Sequence, residues 1–259
     1  MESKVIWLND LTESNDSSEV VQTFGALWES IKKRLLISDL DTDMVNNLIP
    51  ILDRQYEIEI LIDKPYGACF CKEHNKLTQW LEYGDKTKGI VLGFDIDWFD
   101  GLKQQMPHPS VNLESSIGYD HVLYYNSELE DAFFNICYKA IQEYGMNSWI
   151  MAIRPTFKHY SAFIKNNAFV SENELRVVYY PNEKHEFINS SFNIGGPHNE
   201  PFTHYSLSWT KGNGDNAIKA IGLGSNCSLN KNDIKSILEN AGVSGEFQLF
   251  ESQIPYRIR

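Results

Sequence analysis

Only four cysteines occur in this chain of 259 residues, Cys69, Cys71, Cys137 and Cys227. They are too few and too scattered for a disulfide scaffold, and Cys69-Phe70-Cys71 lacks the two-residue gap of a zinc knuckle, so free thiols are expected. None of the seven histidines forms an H-x-x-x-H or H-E-x-x-H pair, and no metal is expected. No run approaches the roughly 18 apolar residues of a membrane span. The apolar stretch Val5-Ile6-Trp7-Leu8 is too short for a signal peptide, which points to a cytoplasmic protein. No basic run interrupts a net charge of −12, a balance that opposes binding to nucleic-acid phosphates. A G-x-S-x-G nucleophile elbow is absent, as are internal repeats, low-complexity tracts and an obvious linker. A single domain over residues 1–259 follows.

What is present is enough apolar material for a sizeable core, 42% hydrophobic and 13% aromatic. From Ser17 to Leu36, Val20, Val21, Phe24, Leu27, Trp28, Ile31 and Leu35 recur at helical intervals, with Ser17 and Ser18 as N-cap candidates. Asp43 to Glu59 predicts a second helix, disturbed at Pro50, and Pro65-Tyr66-Gly67 predicts a turn. Short strands are expected at Ala68 to Cys71, Gly89 to Phe94, His121 to Tyr125, Glu174 to Tyr180, Glu186 to Asn193, Thr203 to Trp209, Ile218 to Leu223 and Phe247 to Phe250. Helices are expected at Glu128 to Tyr144, Ser148 to Lys165 and Lys231 to Ala241. Helices lead and strands gather later, an α+β texture with a central mixed or antiparallel sheet flanked by helices. The Ser17–Leu36 helix is expected to pack on that sheet.

The run Phe169 to Tyr179, FVSENELRVVY, carries the chemistry. On one continuous strand Glu172, Glu174 and Arg176 share a face and Leu175, Val177 and Tyr179 the other. Such a face is either a solvated, cross-paired sheet surface or a site, and on a water-accessible face Glu174→Gln would cost little stability. Gly222-Leu223-Gly224-Ser225-Asn226 lies between a strand and a helix, the setting of a phosphate loop, but matches neither G-x-G-x-x-G nor a P-loop and is first a tight turn. Gly195-Gly196-Pro197-His198 is likewise a turn. His74 and His204 are acid–base candidates by residue type alone.

Four blocks in order resemble a bacterial family catalogued as domain of unknown function 2971. They are VIWLNDLTESNDSSE from Val5, CFCKEHNKLTQWLEYGDKTKGIVLGFD from Cys69, KNNAFVSENELR from Lys165, and the closing strand, glycine turn, helix and S-x-I-P-Y-R of Ile218 to Arg257. The family's layout is similar in turn to the ADP-ribosyltransferase fold. That similarity implies NAD as substrate, with Glu174 holding the nicotinamide ribose and steadying an oxocarbenium-like transition state, and Glu172 activating the acceptor. Arg176, Cys71, Trp80 and Tyr83 would be substrate-binding, Cys71 belonging to the strand where the family has serine. Trp80 and Tyr83 are by residue type core or turn-packing side chains first, and a ligand role requires at least one to border the Glu174 cleft. The family usually opens with an L-Y-H-Y-T strand that this chain is expected to lack, leaving an open sheet edge for a protein partner or a second copy. The resemblance also implies a bacterial or phage source and a role in defence. The alternative is a non-catalytic nucleotide- or protein-binding module of the same fold.

Overall fold

The computed structural model describes residues 4–12, 22–58, 64–103, 116–181, 188–194, 201–211, 215–243 and 245–256; side chains are described for fewer of them. The chain is a mixed α+β structure whose first described element is a strand rather than a helix. Val5–Asp10 (β1) lies inside a six-stranded antiparallel sheet with Tyr66–Cys71 (β2), Ser116–His121 (β4), Glu174–Tyr180 (β7), Ile188–Ile194 (β8) and Pro201–Ser208 (β9). The order is β4-β7-β2-β1-β9-β8, so β1 is flanked by β2 and β9, and the edges are β4 and β8. The expected strands at Cys69–Cys71 and Glu174–Tyr180 are direct neighbours, with Cys69 opposite Arg176 and Cys71 opposite Glu174.

A second sheet of three strands joins Ile90–Phe94 (β3), Ile218–Leu223 (β10) and Gln248–Glu251 (β11) in the order β11-β10-β3. The apolar face of β7, Leu175, Val177 and Tyr179, belongs to the same core as Ile218, Ile221 and Leu223 of β10. Helices Ile96–Lys103 (α4) and Lys231–Asn240 (α6) close that core with Trp98, Phe99, Ile234 and Leu238. At about 1.5–3 kcal/mol for each large side chain taken out of water, this face of β7 is what fixes the strand's register. The opposite face must then point Glu174 and Arg176 away from the apolar core.

The helical layer departs from expectation. Phe24–Leu36 (α1) buries Phe24, Leu27, Trp28, Ile31 and Leu35 as the periodicity predicts, and Ser17 and Ser18 lie outside the described residues. These side chains meet Val45, Leu48 and Leu52 of Thr42–Glu57 (α2) and Phe133, Cys137 and Ile141 of Ser127–Phe163 (α5). The helix therefore packs into a three-helix layer, not onto the central sheet, because its whole apolar stripe is consumed by α2 and α5. Helix α2 runs unbroken through Pro50, which sits on its exposed side while Val45, Leu48 and Leu52 anchor the buried one. The two helices expected over 128–165 form one of 37 residues. Gly145 lies within it, and a glycine costs a helix only about 1 kcal/mol.

Pro65-Tyr66-Gly67 is not a turn: strand β2 already begins at Tyr66. A Cβ on Gly67 would lie 2.8 Å from the Val177 carbonyl oxygen and 2.9 Å from Leu11 Cδ1, so the glycine serves close packing inside a sheet. The expected strand at His121 to Tyr125 is the end of β4 followed by the two-residue Leu123–Tyr124 (β5), which pairs in parallel with Ile164–Lys165 (β6). Gly195 to His198 lie outside the described residues.

Candidate functional site

Strand β7 starts at Glu174, two residues too late for a continuous Glu-x-Glu face. Glu172 is the last residue of a 3-10 helix, Asn167–Glu172, and Asn173 between the two glutamates is left-handed at φ 46°, a conformation asparagine tolerates better than most residues. Glu172 and Glu174 therefore reach the same place from two different elements rather than as alternate residues of one strand. The 3-10 helix is itself capped by Asn166, whose side chain accepts from the Ala168 N–H at 2.9 Å.

The residue that gathers them is Lys165, at the end of β6. Its Nζ donates to Glu172 Oε2 at 2.7 Å and to Glu174 Oε2 at 3.3 Å, and stands 4.6 Å from the Phe169 ring centre. Arg176 Nε donates to the other Glu174 oxygen at 2.7 Å, and its Nη1 donates to the Ala162 carbonyl at 2.7 Å. Tyr83 Oη donates to Glu172 Oε1 at 3.1 Å. Lys165, Glu174 and Arg176 are 3%, 4% and 3% exposed, so this is a buried, alternating chain of charges and not a solvated ladder. The expectation that Glu174 sits on a water-accessible face is overturned, because α5 and β6 cover that part of the sheet with Ala162, Phe163 and Lys165.

Electrostatics follow from this enclosure. Burial opposes a charge on Glu174, but the Arg176 guanidinium beside it and the hydrogen bonds it accepts outweigh that cost and hold the carboxyl below its usual range. Burial would lower the Arg176 pKa as well, yet its neighbours, Glu174 among them, raise it. Cys69, opposite Arg176, has a side open to the adjoining cavity but is otherwise enclosed, and burial pushes its thiol up to about 12. Burial likewise raises the thiol of Cys71, which donates to the Glu73 carbonyl at 3.2 Å. Both cysteines are protonated near neutral pH and offer weak donors where a hydroxyl would be stronger.

These groups line a cavity of about 600 Å³, a size ordinary for small-molecule sites. One part of its lining is charged, with Lys165, Glu172, Glu174 and Arg176, joined by Lys72 and His74. Another part is apolar, with Phe70, Leu92, Phe94 and Phe99. Of the residues expected at a site, Glu172, Glu174, Arg176, Cys71 and Tyr83 come together here. Trp80 does not. It is 3% exposed, donates from Nε1 to Asn75 Oδ1 at 3.0 Å and packs against Gly84, where a Cβ would be 2.6 Å from its ring. His204 is also elsewhere, buried on β9 with its ring 4.5 Å from that of Trp7. Lys165 and Cys69 were not expected as site residues; the signal for Lys165 was its place just before the capped Asn166–Glu172 segment.

The Gly222 to Asn226 loop is a packing device. A Cβ on Gly224 would lie 2.0 Å from the Thr87 carbonyl oxygen, and the Asn226 amide donates to Thr87 Oγ1 at 2.6 Å and to the Tyr256 carbonyl at 3.0 Å. Its partner is a run of three left-handed non-glycine residues, Asp85, Lys86 and Thr87, just after Tyr83. Strain of this kind persists only where the surroundings over-determine the backbone, and the Gly224–Asn226 clamp supplies that constraint.

Residues 79–177 match the profile of a family described as Protein of unknown function (DUF2971). The match runs from the middle of Leu77–Glu82 (α3) into the middle of β7, and so includes Tyr83, Lys165, Glu172, Glu174 and Arg176. No curated protein and no solved structure matches the chain. Among the described residues, no group of three or more His, Cys, Asp or Glu side chains is placed to hold a metal ion, and no helix is long and apolar enough to cross a membrane.

Proposed function

We propose that the cavity binds NAD and cleaves its nicotinamide–ribose bond, in the manner of ADP-ribosyltransferase-like enzymes. The observation that carries the reading is the delivery of two carboxylates, Glu172 and Glu174, to one cavity by one lysine. In the reaction the C1′–N bond breaks, its electron pair leaves with nicotinamide, and the ribosyl C1′ develops positive charge. A carboxylate already fixed beside C1′ stabilises that charge without reorganising. Water or an acceptor hydroxyl then attacks C1′ and passes its proton to a carboxylate. Glu172, the less buried of the two, is suited to touch the ribose in place of Glu174, the residue the resemblance implies for that role, while Glu174 fixes it through Lys165. The phenylalanines of the apolar lining offer a surface for a planar ring. Loss of cellular NAD through such a reaction would suit a bacterial defence effector.

A second reading, a nucleotide-binding module without turnover, is favoured by one feature. Both oxygens of Glu174 are already engaged by cations, which weakens its pull on a developing positive charge. Calorimetric titration with NAD, followed by chromatographic detection of nicotinamide, separates the readings. Binding with release supports cleavage, and binding without release supports the module. Neither event at millimolar NAD removes both.

A further inference from the structure

We propose that Lys165 is the positioning residue of the cavity, the group that holds Glu172 and Glu174 at one spacing. Its backbone is fixed on the β5 side, where Tyr124 pairs with it and Tyr125 N–H donates to its carbonyl at 2.9 Å. Its stem is buried and its ammonium faces Phe169, so the charge has little freedom to leave the two carboxylates. Arg176 holds Glu174 alone. Tyr83 holds Glu172 alone, and is 67% exposed. Lys165 is thus the connection between the deeply buried ion pair and the carboxylate nearer the cavity. Remove its charge and two carboxylates that touched the same nitrogen face each other in an enclosed site, a juxtaposition that forces one of them to keep its proton. Other ionisable groups around this point are Arg176, Cys69 and Cys71 on the sheet, Lys72 and His74 just after β2, Tyr124 from β5 and Tyr83 beyond α3. Lys165 is the group whose ammonium donates to both carboxylates.

The kinetic part of this inference rests on the NAD reading; the titration part does not. Carbon-detected NMR titration of glutamate carboxyls in the full chain tests it, with Glu172→Gln and Glu174→Gln providing the assignments. In Lys165→Met one of the two carboxyls is expected to bind its proton at least tenfold more tightly than in the wild type, a rise of about one unit. Lys165→Arg, which keeps the charge, is expected to restore most of the wild-type titration. If wild-type protein releases nicotinamide, the acid limb of its pH–rate profile moves up by the same amount in Lys165→Met and returns in Lys165→Arg. Should Lys165→Met fail to fold, Lys165→Arg and Glu172→Gln carry the test. Glu172→Gln frees Lys165 for Glu174, whose carboxyl then titrates lower than in the wild type. Carboxyl titrations unchanged in Lys165→Met, or in Glu172→Gln where only that variant folds, overturn the proposal even if NAD is cleaved. Shifted titrations without NAD cleavage leave it standing while the NAD reading fails.

Discussion

The Gly222–Asn226 loop and the Lys165–Arg176 stretch make an instructive pair. The first has the outward form of a ligand-cradling turn and is closed by its own protein: the space beside Gly224 is filled by the Thr87 carbonyl, and Asn226 is spent on Thr87 and Tyr256. The second has the form of an ordinary charged strand and opens on a cavity. A glycine-rich loop is thus no sign of a ligand until the space it leaves is seen to be empty. A charged strand ceases to be ordinary when its charges are buried and paired on one side of a void.

Arg176 should mark the contrast most strongly. Arg176→Met strips a buried carboxylate of its closest cation and leaves the Ala162 carbonyl without that donor, so a loss of about 3–5 kcal/mol in urea or thermal unfolding is expected. Glu174→Gln belongs to the same class and is not the neutral surface change that an open strand face would imply. An Arg176→Met protein as stable as the wild type would return this stretch to the surface. In the closed region, Gly224→Ala should cost about 1–3 kcal/mol, because backbone rather than a flexible side chain occupies the space. Its measured effect should fall on stability alone, with ligand binding by the folded fraction unchanged.

Acid pH offers a gentler comparison. The Glu174 carboxyl lies below the ordinary carboxylate value of 4.5 in the folded chain, so the unfolded chain binds more protons as pH falls. Its contribution is complete above about pH 4.5 and is lost as pH drops through the lower folded value. Unfolding midpoints should therefore decline on acidification less steeply in Glu174→Gln than in the wild type. The smallest effect is expected at Tyr83→Phe, which removes one hydrogen bond to Glu172 at an exposed ring. Stability should change by about 0.5 kcal/mol or less, while any affinity for a cavity ligand falls.

Local chemistry explains which parts of this architecture were legible in the sequence. The helix α6 has a complete capping box, Asn230 accepting from the Asp233 N–H and Asp233 from the Asn230 N–H, and its start at Lys231 was readable from those residues and the apolar period. Strand β10 was readable from its short apolar run closed by a glycine turn. The convergence of Lys165 with Glu172 and Glu174 was not, because it depends on a single left-handed residue, Asn173, and on β6 being carried to the sheet by the end of a long helix. Period-2 reasoning placed Glu172 on β7 and was wrong by one kink, yet Glu172 and Glu174 still meet at Lys165. Trp80 shows the converse: by residue type a core or turn-packing side chain first, and a ligand contact only through the resemblance, it has its indole N–H held by Asn75 within the protein.

The buried Lys165–Glu172–Glu174–Arg176 chain of charges is proposed to serve NAD cleavage in the cavity. Its most direct test is nicotinamide release from NAD by the wild-type chain and by Glu172→Gln, compared at a temperature where melting curves show both folded. The account predicts release by the wild type and a loss of about 100-fold or more in the variant, the order expected when a positioned carboxylate is removed from a reacting centre. Equal release by the two proteins, or none from the wild type at millimolar NAD, would contradict it.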